Sequence, residues 1–410
     1  MSNSADALDW LHRATLDGLP LTTVLDGLVE RLRAGGAPID QMHLSHPVLH
    51  PMVYVIGVDW TPEGGAVSAT YDHSSWSQPR WLDSPLFAVV RGWDRRLRRR
   101  LSGPEAVLDF PMLAQLSAVG FTDYVASALP FAGFFRPPRT EAERAVMPTS
   151  TGIALSYATR REGGFSDADM AQFDALLAPL GVLVKTVAQS QIAETIARCY
   201  IGERAGPRVL GGEITLGDVA STEAVIWVSD LRGSTPLAAR LPGRAFTALI
   251  NAFFDCTLGA VVAEGGEPLT LMGDGAVAIF PLGDEGLDGA RAAALRAVTA
   301  AEARLARLNT DREADGEAPL RWGLGLDVGT VDYGNIGIVG RQSWSVLGDA
   351  VNRTARLEGL TKSLGRTVLA TEAFVAGLTP PWEPLGRHPL AGLDAPVAVF
   401  APLSPTGSAP

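Results

Sequence analysis

The hydrophobic pattern of the chain is most regular in its second half. Ala224 to Ser229 is an unbroken apolar run that predicts a buried strand. From Gly243 to Glu264, the residues Phe246, Leu249, Ile250, Phe253, Phe254, Leu258, Val261 and Val262 recur at the spacing of a helix with one apolar stripe. Leu269 to Met272 and Ala276 to Phe280 flank Gly273-Asp274-Gly275, a hairpin signal. Leu287 to Leu308 predicts a second amphipathic helix. A strand over Leu320 to Thr330, a short strand over Ser343 to Leu347 and a helix over Ala350 to Leu360 follow. The order β-α-β-β-α-β predicts an α+β fold with a split βαβ, ferredoxin-like sheet.

The first half is less regular. Leu8 to Ala34 has helical spacing that stops at Gly35-Gly36, and Met52 to Val58 and Gly152 to Thr159 read as strands. Between them lie Pro- and Trp-rich turns and a basic stretch, Arg91 to Arg100. Ser166-Asp167-Ala168-Asp169 carries a capping hydroxyl and first-turn acids. The helix it starts runs towards Arg198, with Phe173, Leu176, Leu177, Leu180, Val184, Val187 and Ile192 on a stripe. Pro179 and Gly181 predict a bend or interruption there. The chain therefore divides into residues 1–165, a helical linker and Gly-rich connector over 166–218 (with Gly202 to Gly217 as the connector), and a regular domain over 219–405.

Length and composition narrow the possibilities. The 410 residues suffice for two or three cores, and the formal net charge of −11 disfavours nucleic acid as the partner. Cys199 and Cys256 sit in apolar, helix-like stretches and are expected to be buried free thiols rather than a disulfide framework. The polar start and the apolar runs broken by Asp, Gly or Pro lead to the expectation of a cytoplasmic protein without a membrane span.

Two acids carry the candidate chemistry. Asp230 ends an apolar strand and precedes Leu231-Arg232-Gly233-Ser234-Thr235; Asp274 sits in the hairpin turn. In a split βαβ sheet the strands bearing them lie side by side, so the carboxylates can converge. Such a pair suits two hard cations that hold phosphate oxygens and activate a hydroxyl. The small polar segment after Asp230 lets backbone N–H groups approach a phosphate. Asn352 and Arg356, four apart on a helix, can orient a ribose and stabilise charge on a phosphoryl group. Taken singly, each element is equally what a turn or a solvated helix face would show.

Together these segments resemble the signatures of class III adenylate/guanylate cyclases: Asp230 within Ser229-Asp230-Leu231-Arg232-Gly233-Ser234-Thr235, Asp274 within Met272-Gly273-Asp274-Gly275, and Gly348-Asp349-Ala350-Val351-Asn352 with Arg356. The match covers roughly Thr222 to Leu378. The resemblance implies head-to-tail homodimers with shared sites. Asp230 and Asp274 would hold two Mg²⁺ or Mn²⁺ ions, and Asn352 and Arg356 would come from the other chain. Leu231, Gly233, Ser234 and Thr235 would cradle the triphosphate, and Arg341 would touch it. The nucleoside 3′-hydroxyl would attack the α-phosphorus, releasing pyrophosphate. Where the family usually places a base-reading Lys this chain has Thr270, and its partner position is Ser345. Two hydroxyls do not fix the base, because each donates and accepts. Ala391 stands where many members carry a Lys before Gly392. The resemblance implies ATP as the preferred nucleoside triphosphate, with GTP, or a catalytically poor nucleotide-binding regulator, as alternatives.

The N-terminal half, with Gly152 to Thr159 followed by Arg160-Arg161-Glu162-Gly163-Gly164-Phe165-Ser166, resembles α/β GAF-like sensor domains and implies a small-molecule signal. His43, His46, His50 and His73 suggest metal or haem. The lack of cysteines and matched acids nearby favours ordinary loop histidines. Arg95 to Arg100, with Leu97 and Leu101 interleaved, reads as a solvated helix face.

Overall fold

The computed structural model describes residues 2–92, 96–132, 138, 140–146, 151–338, 340–379 and 382–403. It forms two compact units, Met1–Ile196 and Ala197–Pro410.

The first unit begins with α1 (Ser2–Leu16) and α2 (Leu21–Ala34). The single helical stretch expected from Leu8 is thus broken, because Gly18 adopts φ +63° and Pro20 lacks the N–H a continuing helix needs. Then come β1 (Gln41–Pro47), β2 (Val53–Thr61), β3 (Gly65–Asp72), α3 (Pro79–Leu82), α4 (Pro85–Gly92), β4 (Leu97–Arg100), α5 (Pro111–Ala118), β5 (Asp123–Phe131), α6 (Glu141–Val146), β6 (Thr151–Thr159) and α7 (Asp167–Ile201). The strands form one sheet in the order β3-β2-β1-β6-β5-β4, and every pair in it is antiparallel. The unit is therefore α+β rather than α/β.

One face of this sheet buries Met42, Leu44, Ile153 and Leu155 against Leu25, Leu28, Phe173, Leu180 and Val184 of α2 and α7. The stripe on α7 lies in this core. Gly181 causes no break: a Cβ there would lie 2.6 Å from Leu129 Cδ2, and the glycine lets α7 close on β5. The helix also runs through Pro179. The other face carries Tyr124, Ala126, Ala154 and Ala158 under α4 and α5.

The expected solvated helix at Arg95 to Arg100 is instead an edge strand, β4, with Arg95 outside the described residues. Its alternate arginines are recruited by a fully buried carboxylate. Asp123 accepts hydrogen bonds from Arg98 at 2.7 Å, Arg100 at 3.0 Å and the Phe165 N–H at 3.0 Å.

The second unit contains α8 (Ala205–Leu210), β7 (Val219–Arg232), α9 (Ser234–Arg240), α10 (Gly243–Ala263), β8 (Glu267–Met272), β9 (Gly275–Pro281), α11 (Gly286–Ala314) and β10 (Arg321–Ile338). It ends with β11 (Arg341–Leu347), α12 (Asp349–Ser363), β12 (Val368–Thr371), α13 (Glu372–Val375), β13 (Glu383–His388) and β14 (Val397–Ala401). Residues 404 and 405 of the expected domain lie outside the described residues. The sheet order β13-β14-β12-β10-β7-β9-β8 contains the expected split βαβ core, with β11 folding back on β10.

Trp227, Phe280 and Trp322 on one face meet Phe253 and Ala294 of α10 and α11; Ile226, Val228, Val277 and Ile279 on the other lie under Val351 of α12. β7 and β10 pair over 14 residues, from Val219↔Gly334 to Arg232↔Arg321. The connector is not featureless. Besides α8, its Glu213 and Asp218 carbonyls accept from Asn335 at 2.8 and 3.0 Å, and Arg208 lies over Tyr333 and Trp344.

Cys256 is buried, whereas Cys199 is exposed, since it lies beyond the part of α7 that packs on the first sheet. Two helices, α7 and α10, are long and apolar enough to cross a membrane, contrary to the expectation that no such stretch exists. Each buries a face in the core of its own unit.

Candidate functional site

The β7–β9 ladder sets Asp230 opposite Gly275, one residue from Asp274, and the Leu231 N–H donates to the Asp274 carbonyl at 3.2 Å. The two carboxylates therefore meet at one end of adjacent strands, as the topology predicts. Both are half-buried, and neither side chain has a hydrogen-bond or ion-pair partner among the described residues. Burial, and then the charge of Asp274, raises the Asp230 pKa above the ordinary carboxylate value. A Cβ on Gly275 would sit 2.7 Å from Asp230 Oδ1, so only glycine leaves that carboxylate its place. Two unpaired, mutually repelling carboxylates form a donor set suited to divalent cations. Among the described residues there is no cluster of three or more His, Cys, Asp or Glu side chains placed to hold a metal ion.

The segment after Asp230 divides in two. The Leu231 N–H donates to the Asp274 carbonyl and its side chain lies in the core. Gly233 takes φ +74° and turns the chain into α9, which leaves the Ser234 and Thr235 amides at a helix start without helical partners. Thr270 in β8 has a buried hydroxyl with no partner. Ser345 lies in β11 opposite Gly334, and β11 packs near β8. Arg341 is exposed at the start of β11.

The helix α12 buries Val351, Thr354 and Leu357 and turns Asn352 and Arg356 outwards. Neither of those side chains has a partner among the described residues. The structure thus brings Asp230 and Asp274 together, and it leaves Asn352 and Arg356 facing solvent.

No protein-family model matches the chain. Among curated proteins it is 32% identical over 238 residues to adenylate cyclase 2 of Rhizobium meliloti, an alignment covering 56% of this chain and 63% of that one. It is 30% identical over 172 residues to an adenylate cyclase of Anabaena cylindrica, covering 41% of this chain and 33% of that one. The C-terminal half of the chain is a nucleotide cyclase catalytic domain. Among solved structures, a bacterial light-regulated adenylyl cyclase aligns over 44% of this chain and 90% of its own, at 28% identity and a TM-score of 0.39.

The cyclase domain holds two features that the sequence reading missed. Gly323 and Gly325 of β10 let α12 lie directly on the strand: a Cβ on Gly325 would be 2.6 Å from the Thr354 carbonyl, and one on Gly323 would be 2.2 Å from Glu358 Oε1. Gly323 pairs with Asp230, so Glu358 is a third carboxylate beside the cyclase pair. Burial, then Asp230, push its pKa up to about 7, with Arg232 opposing. Behind them the buried Asp327 carboxylate accepts from Arg353 Nε at 2.6 Å and from the Thr371 hydroxyl, tying the start of α12 to β10 and β12. The alternating glycines of β10 were the available signal for this close helix contact.

Proposed function

We propose that the chain is an adenylate cyclase, converting ATP to 3′,5′-cyclic AMP and pyrophosphate at sites shared between two copies. The observation that carries this reading is the Asp230–Asp274 pair, unneutralised within its own chain, together with the adenylate cyclase relatives. Two Mg²⁺ or Mn²⁺ ions held by these carboxylates would supply charge neutralisation for the triphosphate and a lowered pKa for the 3′-hydroxyl. The chain's own groups do the rest. The Ser234 and Thr235 amides cradle phosphate oxygens, and the free Thr270 hydroxyl and Ser345 meet the base. The 3′-oxygen forms its bond to the α-phosphorus as the bond to the β-phosphate oxygen breaks; the hydroxyl proton goes to solvent and pyrophosphate leaves.

A homodimer supplies what one copy lacks. Each copy presents a carboxylate-lined edge and, elsewhere, an unpaired Asn352 and Arg356; two-fold symmetry offers both surfaces to both sites. Leu271, Met272 and Leu347, which flank the site residues in sequence, are more than half or half exposed (60%, 50% and 54%) and would be covered by the partner. The N-terminal unit is a GAF-like sensor in this reading and biases the catalytic arrangement.

Product analysis with purified protein, Mn²⁺ and competing ATP and GTP tests the chemistry. Cyclic AMP should predominate, by a margin of about tenfold or less because no lysine reads the base; higher efficiency with GTP overturns the nucleotide assignment. Asp230→Ala and Asp274→Ala should each lose at least about a hundredfold in turnover. Mixing inactive Asp274→Ala with inactive Arg356→Ala chains should restore activity, because a mixed dimer carries one intact site. No recovery despite demonstrated subunit exchange refutes the shared site.

A further inference from the structure

Two strands carry the hydroxyls assigned to the base, Thr270 in β8 and Ser345 in β11, and the connector is anchored to both. Its first foot stands on β8. The Arg204 backbone N–H donates to Glu267 Oε1 at 3.3 Å, and Arg204 Nε lies 3.2 Å from Glu267 Oε2. Glu267 opens β8, three residues before Thr270, and is 8% exposed. A carboxylate so buried needs its cation, which holds the start of α8 on β8. Gly206 lets the same helix lie against the end of α7, since a Cβ there would be 2.7 Å from the Ala197 carbonyl carbon.

The second foot stands on the β10–β11 hairpin. Arg208, one turn further along α8, places its guanidinium 5.7 Å from the Tyr333 ring centroid and 5.4 Å from that of Trp344. The two rings are themselves 6.0 Å apart. Glu213 holds this guanidinium, accepting from Arg208 Nε at 2.7 Å and lying 2.6 Å from Nη2. The Glu213 carbonyl in turn accepts from Asn335, the residue opposite Trp344 in the ladder. The Trp344 indole N–H is buried without an acceptor among the described residues. No hydrogen bond fixes this ring, so its place rests on packing and on the cation above it.

Trp344 and Ser345 are consecutive in β11, so one side chain faces the connector and the next leaves the opposite face. A shift of the ring therefore carries the hydroxyl with it. Gly334, opposite Ser345, is also pressed on the connector, because a Cβ there would overlap the Asp218 carbonyl.

We propose that Arg208 is a positioning residue for selection of the nucleotide base: through the Tyr333–Trp344 pair it sets where β11 holds Ser345, while Arg204 on Glu267 fixes β8 and Thr270 against the same short helix. The inference rests on the reading of Thr270 and Ser345 as base contacts. The groups assigned to the triphosphate, Asp230, Asp274 and the start of α9, belong to other elements, so loosening this clamp affects the base and spares the phosphates.

Arg208→Ala in the full-length chain tests it by two measurements that need no turnover. Hydrogen exchange should quicken at least about tenfold at the β11 amides and stay unchanged in β9. In equilibrium dialysis with Mg²⁺, 3′-deoxy-ATP, which lacks the attacking hydroxyl, should bind at least about fivefold more weakly, whereas tripolyphosphate, which has no base, should keep its affinity within about twofold. Should the alanine variant lose its fold, Glu213→Gln decides instead: it loosens the guanidinium and should give the same pattern, at about threefold in exchange and about twofold in 3′-deoxy-ATP affinity. Unchanged exchange at β11 overturns the inference whatever the nucleotide does, and so does an equal loss of both probes. A parent chain that shows this pattern yet makes no cyclic nucleotide overturns the cyclase reading and leaves the clamp standing.

Discussion

Replacing Glu358 by glutamine probes the electrostatics of the cyclase site without touching Asp230 or Asp274. Glu358 lies on Gly323, across the ladder from Asp230, and its pKa is pushed from an ordinary 4.5 up to about 7 by burial and then by Asp230. The folded chain holds this proton more tightly than the unfolded chain. Stability is therefore lost as pH rises from about 4.5 to about 7, and the full cost is present above that. At about 1.4 kcal/mol per pH decade the shift amounts to about 3 kcal/mol; the partial solvent access of Glu358 reduces this to about 1–2 kcal/mol. Glutamine keeps the shape and removes the charge. In EDTA at pH 8, Glu358→Gln should raise the unfolding temperature of the cyclase unit by about 3–6 °C, as about 2–4 °C per kcal/mol applies to a unit of this size. The gain should shrink to less than half at pH 5.5. Differential scanning calorimetry at both pH values decides it. Adding Mg²⁺ at pH 8 should also narrow the gap, because cations at Asp230 and Asp274 would relieve the repulsion that glutamine removes. A gap independent of pH, or no gain at pH 8, refutes the assignment of Glu358 as a strained third carboxylate.

Other perturbations bear on the same site. Gly275→Ala has no backbone penalty, since Gly275 is not left-handed, yet its Cβ would crowd Asp230 Oδ1. Metal-dependent turnover should fall by at least about tenfold with an unchanged circular dichroism spectrum, and near-parental activity would contradict the packing. Asp327→Ala leaves Arg353 facing an emptied, buried position. It should cost about 2–4 kcal/mol, lowering the unfolding temperature by roughly 5–10 °C, with kcat falling more than KM rises; a loss under about 2 °C argues against the clamp on α12.

The cyclase unit was legible because its elements are periodic. The apolar run at Ala224 to Ser229, the stripe from Phe246 to Val262 and the hairpin at Asp274 all appear where expected, lengthened at their ends by ladder pairing that carries polar residues such as Ser221 and Asp332. The side-by-side placement of Asp230 and Asp274 follows from topology alone. Glu358 was not legible, since its place depends on how closely α12 approaches β10. In the N-terminal unit β1 was missed because polar His43 and Ser45 on one face and buried His46 on the other interrupt the apolar alternation. Arg98 and Arg100 read as a solvated face because the acid they neutralise, Asp123, is distant in sequence.

The long β7–β10 ribbon limits how the cyclase site can be adjusted. One end is tied to the connector through Gly334 and Asn335; Asp230, near the other end, lies about 37 Å away at about 3.4 Å per residue. Both faces of its central part, Ala224 to Val228 of β7, are buried, so a slip of one residue would exchange every inward side chain there for its neighbour. The ribbon is consequently a ruler of fixed graduation. Motion at the connector can reach the carboxylates as twist or flexure, in small continuous amounts, and never as a stepwise slide.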